Sequence, residues 1–170
     1  MKMITLSVVF ALATSPIALA QAQAVPNIRQ GELLVFSFKI ANSTKHVTIV
    51  DTANSIIYRY GTPGKVELEF PKNPDNLKKY FTFTWYSRPD MGGTNAGLDE
   101  YTLSFENNGY RYEIQYSHYY PDNATSVGIR ISDPAGKQIA DLAGDSKTIS
   151  GSLLSLRDDE RLIQRPWYEL

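Results

Sequence analysis

"YTLSFENNGYRYEIQYSH", residues 101–118, decides the fold. Tyr101, Leu103 and Phe105 alternate with polar neighbours, and after the NNG triplet Tyr110, Tyr112, Ile114 and Tyr116 alternate with Arg111, Glu113, Gln115 and Ser117. Successive strand side chains point to opposite faces, so both runs read as strands with one dry face and one wet face. Asn-Gly readily adopts the positive φ values of a primed two-residue turn, which makes the pair an antiparallel hairpin. The tyrosine row then shares a face with Tyr101, Leu103 and Phe105. It reads as an inner face whose phenols reach water or a backbone partner near the strand ends. The other reading of that face is a groove that grips a polysaccharide or another protein's loop.

The same pattern repeats outward. ELLVFSFKI (32–40), KHVTIVD (45–51), SIIYRY (55–60), KVELEF (65–70), KYFTFTWYS (79–87), TSVGIRIS (125–132) and KQIADLA (137–143) are strand-like, with turns at TANS, GTPG and DPAG. PKNPDNL, 71–77, is a loop, since two prolines and an Asn-Asp cluster resist both helix and sheet. TISGSLLSLRDDERLIQRP, 148–166, is expected as a final hairpin turning at Asp158 and Asp159, a short helix being the alternative. The sum is an all-β, antiparallel sandwich or barrel of about nine or ten strands joined by hairpins.

The chain has 170 residues and opens MKMITLSVVFALATSPIALAQAQA, with one lysine, an apolar core and small residues at alternate positions. That is the layout of a secretory signal peptide. Cleavage after Ala22 is expected, leaving 1–22 as a removed leader and 23–170 as a single β domain, periplasmic or secreted in a bacterium. The formal net charge of −1 becomes −2 without Lys2, and no basic run offers itself to nucleic acid. With no cysteine there is neither a disulfide nor a thiolate nucleophile. At 42% hydrophobic residues the chain is apolar enough to fold.

Motifs of catalysis are sparse. His46 and His118 lie in different strands without metal-ligand spacing, no G-x-S-x-G elbow occurs, and no cofactor is implied. Glu67 and Glu69 share a strand face about 7 Å apart, a pair that a glycan-hydrolysing site could use. The stretch SRPDMGGTNAGLDE, 87–100, is long for a protein of tight turns, and such loops often contact partners. Its Arg88, Asp90, Asn95 and Asp99, with Tyr119 and Tyr120 before Pro121, are the candidate binding residues.

The segments SIIYRYGTPGKVELEFP (55–71) and GLDEYTLSFENNGYRYEI (97–114) carry a resemblance. Their Y-G-x-x-G-K-x-E-L-x-F-P pattern resembles a set of small, exported, uncharacterised bacterial β-rich proteins, which implies a periplasmic location and supplies no activity. In size and location the chain is also similar to periplasmic β-sandwich inhibitors of lysozyme, without their serine-glycine loops or cysteines. The expected function is therefore a non-enzymatic periplasmic binding protein, an inhibitor or immunity protein that occludes a cell-wall-degrading enzyme. Its partner would be that lytic enzyme. The alternative is an envelope module that binds or hydrolyses glycan.

Overall fold

A computed structural model describes residues 25–52, 54–75, 78–92 and 96–166. The leader and Asn95 lie outside the described residues. The strands are β1 (Leu33–Ile40), β2 (His46–Asp51), β3 (Ile56–Thr62), β4 (Lys65–Phe70), β5 (Thr82–Arg88), β6 (Leu98–Asn107), β7 (Tyr110–Tyr119), β8 (Ala124–Ser132), β9 (Gln138–Gly151) and β10 (Ile163–Pro166). They form one ten-stranded sheet in the order β10-β5-β6-β7-β8-β9-β1-β2-β3-β4, curled into a half-barrel. Neighbours are antiparallel except β10, which runs parallel to β5.

The deciding hairpin behaves as its sequence dictates. Asn108 and Gly109, at φ 53° and 80°, make the two-residue turn, and Tyr101 faces Tyr116 while Phe105 faces Tyr112. Both cross-strand pairs stack, with centroids 5.5 Å and 4.9 Å apart. Ile114 is fully buried and Tyr112 and Tyr116 pack against the core, so the tyrosine row is the inner face.

Phe105 explains why the sheet curls. Its ring stacks on Phe70 of β4 at 4.4 Å and meets Phe81 edge-on at 5.4 Å and Tyr58 of β3 at 5.0 Å. Strands far apart in the sheet thus bury aromatic surface on one another across the interior. β9 is the pivot: its first half pairs with β8 through Ala143, and its second half pairs with β1 from Gly144 to Gly151.

The C-terminal stretch differs from the expected hairpin. β9 continues to Gly151, then Leu153–Leu156 form a 3-10 turn capped by Ser152, whose hydroxyl accepts from the Leu154 amide at 3.2 Å. Leu153 and Leu156 are three residues apart, which puts both on one side of such a turn, and both are buried. Leu162 is buried after them, and β10 then pairs with the free edge of β5. Arg161 fixes this return with two bonds of 2.8 Å to Asp51 of β2 and one of 2.6 Å to Asp159.

The outer face of β1–β3 is covered by the chain itself. Residues 25–32 lie over it, with Thr48 Oγ1 donating to Pro26 O at 3.0 Å and Arg59 Nη1 to Asn27 O at 2.9 Å. Arg59, 1% exposed, also holds Glu32 and, at 2.6 Å, Glu69. Ser37, Thr48, Val50 and Ile57 are buried on the same face.

Candidate functional site

One end of the half-barrel is open. Register places Asp99, His118 and Thr125 in a single row across β6, β7 and β8, on the inner face beyond the stacked Tyr101 and Tyr116. Opposite them stand Lys147 and Ile149 of β9 and Leu154 of the 3-10 turn, and the space between is about 720 Å³.

Asp99 organises this mouth. Its carboxylate accepts from Ser87 Oγ at 2.5 Å and from the Tyr120 hydroxyl at 2.8 Å, and the Tyr101 phenol turns to it as well. Burial, reinforced by the Asp99 charge, pushes Tyr101 up to about 12. Burial and the same charge raise Tyr116, and the bond to Asp99 raises Tyr120. The phenols around the mouth are therefore neutral hydrogen-bond donors at physiological pH rather than nucleophiles or bases. His118 Nδ1 lies 2.8 Å from Thr125 Oγ1, and its ring meets Tyr120 edge-on at 4.7 Å.

The long connection forms the rim. Since β5 ends at Arg88 and β6 begins at Leu98, the connection itself is residues 89–97, shorter than its sequence implies. Arg88 Nε donates to Ala96 O at 2.7 Å, and Asp90 accepts from the Gly92 and Gly97 amides at 3.1 Å and 3.3 Å. These two charged residues brace the loop's own base. Gly97 is tight for a reason: a Cβ there would stand 2.8 Å from Asp90 and 2.9 Å from the Tyr120 ring. The braced loop exposes Met91 (77%), and the end of β7 exposes Tyr119 on the outer face (40%) and, just after it, Tyr120 at the mouth (45%).

The structure thus brings Asp99 and Tyr120 into direct contact and sets Arg88 and Asp90 into the loop base, while Asn95 is outside the described residues. Thr125, Lys147, Ile149 and Phe36 were missed. Lys147, Ile149 and Phe36 come from strands remote in sequence and carry no local motif, whereas Thr125 lies just across the hairpin from His118, and that register was the available clue.

Glu67 and Glu69 do not stand as a free acid pair. Lys45 binds Glu67 at 2.7 Å, while Arg59 and Arg29 bind Glu69 at 2.6 Å and 2.7 Å. Burial would raise Glu69, but the two arginines outweigh it and hold the carboxyl below the usual range. Among the described residues no group of three or more His, Asp or Glu is placed to hold a metal ion. Comparison with family models, curated proteins and solved structures finds no match.

Proposed function

We propose that the protein is a non-enzymatic binding protein of the bacterial envelope that docks a protein partner on the mouth of its half-barrel, a cell-wall-degrading enzyme being the partner class. The observation that carries this is the braced rim. Met91, Tyr119 and Tyr120 are exposed apolar and aromatic groups, and the bond Arg88 donates to Ala96 O and those Asp90 accepts from the Gly92 and Gly97 amides hold the backbone on either side of Met91. Backbone already held by hydrogen bonds loses little conformational freedom on binding, and aromatic residues dominate interface energetics. The phenols of Tyr101 and Tyr120, whose hydrogens are turned to Asp99, present oxygens that can still accept a hydrogen bond from a polar group at the tip of an inserted loop.

The test is inhibition and direct titration against a panel of purified muramidases and other peptidoglycan hydrolases. A stoichiometric complex that blocks hydrolysis is expected, with Met91→Asp and Tyr119→Ala each weakening it at least about tenfold. Absence of a complex with every member of the panel overturns the reading. Glycan hydrolysis through Glu67 and Glu69 is not favoured, because a general acid must hold a proton near working pH and Glu69 is depressed by its arginines.

A further inference from the structure

The outer face of β5–β9 differs from that of β1–β3: among the described residues no segment like 25–32 binds across it, and apart from the buried Ser104 its side chains are half-buried or exposed. A groove of about 640 Å³ runs over it. Its floor is a straight cross-strand row: Thr84 pairs with Thr102, Thr102 with Gln115, Gln115 with Gly128, and Gly128 with Ala143. The row falls from hydroxyl and amide side chains to no side chain and a methyl. Polar groups, most of them longer than the floor's, stand in the rows alongside. Tyr86, Glu100 and Ser117 follow one another on one flank, and Glu113, Arg130 and Asp141 on the other.

Two details set this face apart from an ordinary wet sheet surface. Gly128 sits in the middle of a strand, where glycine weakens pairing and commonly marks the close approach of a ligand or another backbone. Here a Cβ would stand 2.9 Å from Leu142 O, and its absence also lowers the floor. Second, Arg130 Nε is buried with no hydrogen-bond partner, and a buried unpaired donor is costly.

We infer that this groove binds a neutral oligosaccharide lying across the strands. Five strands spaced about 4.8 Å apart give a track of roughly 19 Å, enough for several sugar rings in line. Hydroxyls and the Gln115 amide both donate and accept, which matches the alternating demands of sugar hydroxyls and acetamido groups. The groove's charged lining is Glu100 and Asp141 against Arg130, while Glu113 beside it is paired with Arg111, so no surplus of positive charge recommends an anionic chain. A peptide in extended form would seek a sheet edge rather than this face, since strand addition uses edge amides and carbonyls. The inference is independent of the mouth, whose Asp99, Tyr101, His118 and Thr125 lie on the opposite side of the same strands.

The experiment is a titration of the isotope-labelled protein with a tetramer of N-acetylglucosamine and, separately, with cellotetraose, followed through backbone amide signals. Saturable shifts at Thr102, Gln115 and Gly128 are expected with at least one of them, while Asp99 and Tyr101 stay put. Gln115→Ala should weaken binding about tenfold, and Ser117→Trp, which fills the groove from its wall, should abolish it while the amide spectrum stays folded. No saturable shift with either oligosaccharide, shifts centred on the mouth, or undiminished binding by folded Ser117→Trp each overturns the inference.

Discussion

At the scale of single residues, the mouth is a carboxylate surrounded by phenols it keeps protonated. Asp99→Asn keeps the shape and removes the charge, so the Tyr101 transition should fall from about 12 toward its ordinary 10.0 without reaching it, since burial is the larger cause and remains. A tyrosinate absorbance titration reads this directly; an unmoved Tyr101 transition would show that burial alone sets it. The sign for stability follows. A phenol whose folded pKa is raised contributes stability that is complete below pH 10.0 and is lost as the pH climbs through about 12, because only the unfolded chain releases the proton early. Tyr58, wholly buried, is raised further and acts in the same direction. Thermal unfolding midpoints should therefore fall steeply between pH 10 and pH 12. The sequence named Asp99 and Tyr120 from their types and their place beside turns; that they bond to each other depends on how β6 and the end of β7 align, which only the hairpin register supplies.

At the scale of elements, alternation and turn residues made most strands legible, because each strand here buries one face and the period-two pattern records it. What escaped were elements decided by non-local partners. β10 exists because β5 offers an edge, and residues 25–32 hold an outer face because Arg59 reaches them; neither leaves a local pattern. Arg59 marks the strongest such dependence. Arg59→Met leaves Glu32 without its paired cation and Glu69 with the half-exposed Arg29 alone, and breaking a buried ion pair in this way costs about 3 kcal/mol. Denaturant unfolding at pH 7 should show that loss, and hydrogen exchange should quicken first at residues 25–32. In the wild type the hydrogen bond from Arg59, partly offset by burial, depresses Glu32, and the same arginine helps depress Glu69. Carboxylates lowered in the folded state contribute stability above their ordinary 4.5 and lose it as the pH falls through the folded value. Acid should thus destabilise the wild type below about pH 4.5 more than it destabilises Arg59→Met; equal acid sensitivity would remove these carboxylates from the account.

At the scale of the whole molecule, β9 decides whether the half-barrel is one cooperative body. Every path through the sheet between the β2–β4 side and the β5–β8 side passes through it, since β8 pairs with its first half and β1 with its second. The handover occurs at Gly144, where a Cβ would overlap the Phe38 ring of β1 and come 2.7 Å from Val127 of β8. Gly144 is therefore the point at which the two halves bury their inner faces on each other. Gly144→Val forces them apart, and overpacking of this kind typically costs about 1–3 kcal/mol. Because the pivot is shared, the loss should fall equally on both sides. Protection of the Val47 amide in β2 and the Ile114 amide in β7, measured by native-state hydrogen exchange, should drop by the same factor in the variant, and thermal unfolding should keep a single transition at lower temperature. A variant in which Ile114 keeps its protection while Val47 loses it would show instead that β5–β9 is a self-sufficient sheet and that the curl of β1–β4 is an addition to it.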